Sequence, residues 1–367
     1  MPDKGRAAVY KGYGQPMEIK EYPVPEPEPG AILVKVSMAS ICGSDFHQWR
    51  GDVNLTALGA PLPTILGHEM TGTVAKLGEG ISTDSAGEPL GVGDRVVYSC
   101  SRCPACLKGN HAACPMNMFF MASCEQPPHF VGAYANYYYL RPNHIVFKVP
   151  DDLSDNIVTF ANCALSEVIY GLEKVGLKFG ETIVIQGAGG LGINAIAVAK
   201  EMGAHKVIVI DGIVERLELA RAFGADELID TREFKTPQER VQRVKETTGG
   251  WGADVVAELV GFPTVIPEGL DMLCNGGRYL EIGNISPRHG TFEADPSSLV
   301  LGSKSIFCVV MYGRDTLKKA LNFLSRTKSK YPFDKIISHY YPLEEVNEAF
   351  EAQDKGQASR CAIVPRR

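Results

Sequence analysis

Between Ser40 and His47 the chain reads SICGSDFH. That puts a thiol (Cys42), a hydroxyl (Ser44), a carboxylate (Asp45) and an imidazole (His47) within six residues. Those groups can ligate a metal, move a proton and orient an imidazole. His68 follows in Gly67-His68-Glu69, although a lone histidine is more often a satisfied structural residue than a ligand. A denser cluster comes next. Cys100, Cys103, Cys106 and Cys114 place four thiols in a 15-residue lobe. One loop of that length can wrap one tetrahedral ion, which fits an all-thiolate zinc site better than two adjacent disulfides or free thiols. All four positions are filled by protein, so that zinc is expected to be structural.

The second kind of chemistry lies in Glu181–Asp211. Thr182–Gln186 is a short apolar run of strand type. Gly187, Gly189 and Gly192, with Gly190 and Leu191 between the last two, give G-x-G-x-x-G. Ile193–Met202 has apolar residues at helical spacing, Gly203 is placed to end that helix, and Lys206–Ile210 is a second β-branched strand closed by Asp211. Asp211 stands 19 positions after the last glycine. A lone glycine motif says little. Set between a strand and a helix, with the acid in place, it reads as a dinucleotide fingerprint. Gly187 allows the tight turn, Gly189 lets the backbone approach a pyrophosphate at the helix N-terminus, and Gly192 permits close helix–strand packing. Asp211 suits a ribose 2′-hydroxyl and repels a 2′-phosphate, so NAD is expected over NADP.

These groups need a scaffold, and the chain supplies two kinds. Before the fingerprint, residues 6–22 alternate as a hairpin, Ala31–Ala39, Thr71–Ala75 and Asp94–Tyr98 read as strands, and Gly132–Val149 reads as a strand pair. Phe160–Val175 reads as a helix carrying Cys163. After the fingerprint, helix patterns at Val214–Phe223 and Thr264–Leu273 are interleaved with apolar strands at Trp251–Leu259 and Arg278–Ile282. That alternation predicts a doubly wound parallel sheet. Leu317–Ser325 and Leu343–Asp354 read as helices, and Arg360–Val364 as a last strand.

With 367 residues the chain has room for two domains and a large core. It is 45% hydrophobic and 22% charged, the balance of a soluble globular protein. Its formal net charge of −6, without a basic stripe, argues against nucleic acid or an anionic membrane as partner. The N-terminal stretch lacks the apolar run of a signal peptide, and no run approaches the ~18 apolar residues of a membrane span. A cytoplasmic protein is expected, with its ten cysteines read as metal ligands and thiols rather than a disulfide framework.

The order of these motifs resembles the zinc-containing medium-chain alcohol dehydrogenases. Cys42-Gly-Ser-Asp45, Gly67-His68-Glu69, Gly93-Asp94-Arg95-Val96, the four-cysteine lobe, the glycine fingerprint and Gly224-Ala225-Asp226 carry the likeness, which runs from Ala7 to Val364. It implies a Rossmann domain at residues 165–310, inserted into a mainly-β GroES-like catalytic domain at 1–164 and 311–367. The structural zinc lobe falls near 100–114. The resemblance also implies a second, catalytic zinc held by Cys42, His68 and Cys163, with Glu69 as an alternate ligand.

Further roles carry over by position. Asp45 matches the carboxylate that orients the zinc-bound histidine, Ser44 the hydroxyl that takes the alcohol proton, and His47 the outer end of the proton relay. Arg216 matches a cation beside the adenosine ribose, and Arg360 the arginine that meets the pyrophosphate. The expected enzyme is an NAD-dependent alcohol dehydrogenase with two zincs per chain, forming a homodimer or homotetramer. Trp49, Phe119, Phe120 and Met121 lie in segments that border the pocket in relatives and suggest a secondary or bulky apolar alcohol. A polyol dehydrogenase of the same family is the alternative, with a catalytically inactive NAD-binding scaffold behind it. Glu167 and the long Gly78–Gly93 loop depart from the family pattern.

Overall fold

A computed structural model describes residues 3–99, 122–286 and 290–365. Cys100, Cys103, Cys106 and Cys114, with Phe119, Phe120 and Met121, lie outside the described residues. The described residues fall into two units. One is drawn from Met1–Ser166, Gly313–Ser329 and Phe333–Arg367, the other from Glu167–Tyr312 and Lys330–Pro332. No helix among the described residues is long and apolar enough to cross a membrane.

The first unit is mainly β. Strands β1 (Lys4–Tyr10) and β2 (Glu18–Pro23) form the expected hairpin, and β4 (Thr64–Ile65) adds to β1. A larger sheet is centred on β3 (Ile32–Ser40). There β3 pairs antiparallel with β5 (Glu69–Leu77), with β7 (Tyr137–Leu140) and with β16 (Cys361–Val364). Then β6 (Arg95–Ser99) joins β5, β8 (Ile145–Lys148) joins β6, and β15 (His339–Pro342) joins β16. The β-branched Ile32, Val34 and Val36 suit a central strand, with Leu33, Val34 and Val36 buried in one core with Met70, Tyr98, Phe130 and Tyr134.

One expectation needs correction here. Gly132–Val149 does hold two strands, but they do not pair with each other. They part to β3 and β6, because each finds its ladder partner across the sheet rather than across the short turn between them.

The second unit is the expected parallel sheet. Its strands are β9 (Thr182–Gln186), β10 (Lys206–Asp211), β11 (Glu227–Asp230), β12 (Ala253–Glu258), β13 (Leu273–Glu281) and β14 (Ser305–Cys308). All pairs are parallel, in the order β11-β10-β9-β12-β13-β14. That is the doubly wound arrangement of a dinucleotide-binding sheet, with the order reversing at β9. The helix Gly190–Glu201 follows β9 directly and is buried along most of its length. A Cβ on Gly192 would lie 1.9 Å from the carbonyl oxygen of Gly187, so no other residue lets this helix start so close to the strand.

Candidate active site

The pairing of β3 with β5 builds the site. Ser40 lies opposite Glu69, so Cys42, just past the end of β3, and His68, just before β5, leave the sheet side by side. Gly67 enters this corner at φ +88°, and a Cβ there would press on the Tyr134 ring at 2.9 Å. Cys163 arrives from a different element, a π-helical turn at Ala161–Leu165. Such turns are rare and concentrate at functional sites.

One donor atom from each of Cys42, His68, Glu69 and Cys163 lies within 4.8 Å of the others. The two sulfurs are 3.8 Å apart. Two thiolates at ~2.3 Å from one tetrahedral ion stand about 3.8 Å apart, so the pair already has the spacing a zinc needs. The donor set, two thiols and an imidazole with a carboxylate in reserve, fits zinc by type as well.

The imidazole is oriented from behind. Asp45 Oδ1 lies 3.3 Å from His68 Nδ1, which leaves Nε2 for a metal. Asp45 Oδ2 accepts hydrogen bonds from the Cys42 N–H at 2.9 Å and from the Tyr134 hydroxyl at 2.7 Å. Asp45, Ser44 and His47 all ride on the short helix Gly43–Trp49. Ser44 is half-buried, and His47 Nδ1 sits 3.4 Å from Asp52 Oδ2.

Charge is arranged to suit a cation. A hydrogen bond with the Cys163 thiol, and His68 beside it, hold the Cys42 thiol well below its usual range against the cost of burial. Burial works against charging His68, yet Asp45 and Cys42 hold its imidazole well above the usual range. Metal ligation takes the cysteines as thiolates and the imidazole as neutral, so a metal binding there would release protons. Burial pushes the Glu69 carboxyl up, opposed by Arg360.

Several expected residues prove to have partners of their own. Arg360, expected at a pyrophosphate, is buried with its guanidinium on Glu69, which also accepts from Ser40. Trp49 packs against Phe46 and Phe350 at the edge of the β-rich core, so this side chain is engaged in packing. Glu167 Oε1 accepts the backbone N–H of Met311 at 2.9 Å, and Met311 has φ +63°. Glu167 thus holds a residue in the left-handed region.

At the glycine loop, Asp211 Oδ2 accepts from Ala188 N–H at 2.7 Å, while Oδ1 accepts from Gly212 and Ile213 N–H at 2.8 and 2.9 Å. The acid thus ties the end of β10 to the glycine turn. Arg216 Nη1 is 4.0 Å from Asp211 Oδ2. Gly189 has no atom within 4 Å of a built Cβ, so the face of the turn is open.

Three contributors went unread in the sequence. Tyr134 supports Asp45, and Tyr98 and Asn162 both donate to the His68 carbonyl oxygen, at 2.9 and 2.8 Å.

Comparison with known proteins covers nearly the whole chain. Residues 28–151 match the family model described as an alcohol dehydrogenase GroES-like domain, and residues 190–326 match the zinc-binding dehydrogenase model. The chain is 33% identical to 5-exo-hydroxycamphor dehydrogenase of Pseudomonas putida over 98% of each chain. It is 30% identical to erythritol/L-threitol dehydrogenase of Mycolicibacterium smegmatis over 100% of this chain and 99% of the other. Among solved structures, an alcohol dehydrogenase from Thermotoga maritima superposes with a TM-score of 0.89 at 31% identity, over 99% of this chain and all of the other.

Proposed function

We propose that this chain, which belongs to the zinc-type medium-chain alcohol dehydrogenase family, is an NAD-linked oxidoreductase that binds two zincs and acts on a secondary or bulky apolar alcohol. The observation that carries the reading is the cluster of Cys42, His68, Cys163 and Glu69, with its 3.8 Å sulfur pair. Cys42, His68 and Cys163 would hold the catalytic zinc, and a three-ligand set leaves one position open for substrate. When bound, zinc supplies a Lewis acid for the alcohol oxygen and the dinucleotide supplies the hydride acceptor.

The chain's own groups do the rest. Asp45 keeps the His68 proton on Nδ1 and the ring in place. Ser44 takes the alcohol proton and His47 passes it outward. The backbone of Gly187–Gly192 and the N-terminus of the Gly190–Glu201 helix receive the pyrophosphate. Asp211 takes the ribose hydroxyls, with Arg216 beside it. The catalytic domain is assigned to 1–164 and 311–367 and the Rossmann domain to 165–310. Cys100, Cys103, Cys106 and Cys114 would hold the second, structural zinc.

The apolar preference follows from the likeness to the hydroxycamphor enzyme. The relatives named for erythritol/L-threitol and sorbitol support a polyol substrate as the second reading. A homo-oligomer in the cytoplasm completes the proposal. The strand β14 has a ladder partner on one side only among the described residues, and Ile306, Val300 and Leu301 are exposed on and beside it, so it offers an edge for a second copy. Mass in solution checks this point.

Zinc analysis tests the central assignment. Two ions per wild-type chain and one per Cys42→Ser chain are expected. One ion in both would leave only the four-cysteine lobe and favour the inactive scaffold.

A further inference from the structure

Cys163 and His68 come from segments far apart in the sequence, yet one hydrogen bond joins them almost directly. Asn162 Nδ2, on the residue before Cys163, donates to the backbone carbonyl oxygen of His68 at 2.8 Å. The same oxygen accepts the Tyr98 hydroxyl from β6 at 2.9 Å. Asn162 is buried, 7% exposed. Just before the turn the chain is tied to β3, and at its other end the turn closes on itself. Thr159 Oγ1 donates to the Met38 carbonyl on β3 at 3.3 Å, and Ser166 Oγ donates back to the Ala161 carbonyl at 2.6 Å.

The five-residue bond of the turn, Leu165 N–H to Phe160 C=O, is long at 3.3 Å, so a tie from outside the turn adds to what holds Cys163. On the other side, the chain before His68 is already held, since the Leu66 and Gly67 carbonyls accept the Tyr134 and Ala133 N–H groups at 3.1 and 3.0 Å, and the His68 carbonyl is the next backbone group to be tied. Two donors on that carbonyl, one from β6 and one from the cysteine turn, make a common anchor for both ligands.

We propose that Asn162 is a positioning residue for the metal centre: it fixes the distance between the Cys163 and His68 ligands by clamping the His68 backbone to the cysteine-bearing turn. This rests on the zinc reading above. Loss of an outer partner of a metal ligand costs about 10–100-fold in affinity, and a ligand set held by one fewer anchor belongs in that range.

The test is zinc competition against a chromophoric chelator on the full-length protein, with the visible spectrum of the cobalt-substituted protein recorded alongside. Wild type is compared with Asn162→Leu, which keeps the volume and removes the donor, with Tyr98→Phe, which removes only a hydroxyl, and with Cys163→Ser. One class of zinc is expected to weaken about tenfold in Asn162→Leu and less in Tyr98→Phe. The other class should stay unchanged, and the cobalt bands of the weakened class should shift as its geometry relaxes. Wild-type zinc affinity and an unshifted cobalt spectrum in Asn162→Leu would overturn the proposal. If Asn162→Leu does not fold, Tyr98→Phe decides, and wild-type affinity there overturns the shared anchor. Cys163→Ser separates the two layers: if it keeps both zinc classes at wild-type affinity, the ligand assignment itself falls, whatever Asn162 does.

Discussion

His47 stands on the helix that also carries Ser44 and Asp45, and its ring nitrogen Nδ1 lies 3.4 Å from Asp52. A carboxylate beside an imidazole steadies the ring, which suits a group placed to receive a proton and release it outward. Replacing His47 with Ala should lower turnover about 10²-fold near neutral pH, the low end of general acid–base effects, with little change in zinc content. A pH–rate profile is the check. The deficit should shrink as solvent hydroxide takes over at high pH, and a deficit constant across the whole range would argue for a purely structural histidine. At this scale Cys42, Asp45 and His68 were open to reading because each sits in a contiguous motif. Asn162, Tyr98 and Tyr134 were not. Their bonds to His68 and Asp45 span 94, 30 and 89 residues, and a single polar group in an apolar segment leaves no local pattern.

Among the elements, the ends of β12 and β13 carry a feature that bears on stability. Glu258 and Glu281 face each other in register, with Glu258 fully buried. Glu258 Oε1 accepts the Val260 and Gly261 N–H groups at 2.7 Å each, and Asn284 Nδ2 donates to both carboxyl groups, at 3.0 and 3.2 Å. Burial, with Glu281 alongside, pushes the Glu258 carboxyl up from about 4.5 to about 8. The folded chain therefore holds a proton there that the unfolded chain has already lost above about pH 4.5. Stability should fall as pH rises towards 8 and level off beyond it, by up to ~1.4 kcal/mol per pH unit. Glu258→Gln removes that titration, so its denaturation midpoint should decline less than wild type's between about pH 6 and 8.5. Equal slopes would show that Glu258 does not hold an extra proton in the folded chain. The parallel sheet itself is legible from the βα alternation, but the helix Pro237–Thr247 and the strands β11 and β14 are not among the elements the pattern predicts. The helix carries a readable start, Thr236 with Glu239 in a capping box, whereas β11 and β14 are four-residue strands too short for any period to show.

On the scale of the whole molecule, the chain carries two halves of one reaction: a β-rich unit that gathers two sulfurs, an imidazole and a carboxylate around a metal-sized space, and a parallel sheet whose glycine turn is pinned by Asp211. The order of motifs along the chain made that division legible, since each motif works locally. The substrate is less legible. Phe119, Phe120 and Met121 lie outside the described residues, and Trp49 is taken up in packing against Phe46 and Phe350. The most direct test is the initial rate of NADH formation by wild type and Cys42→Ala on cyclic secondary, linear primary and polyhydroxylated alcohols, with NADP run in parallel. NAD-linked turnover is expected in wild type, fastest on the cyclic secondary alcohols, and none in Cys42→Ala although that variant still binds NADH. Turnover at the wild-type rate by a folded Cys42→Ala protein would contradict the zinc-centred reading.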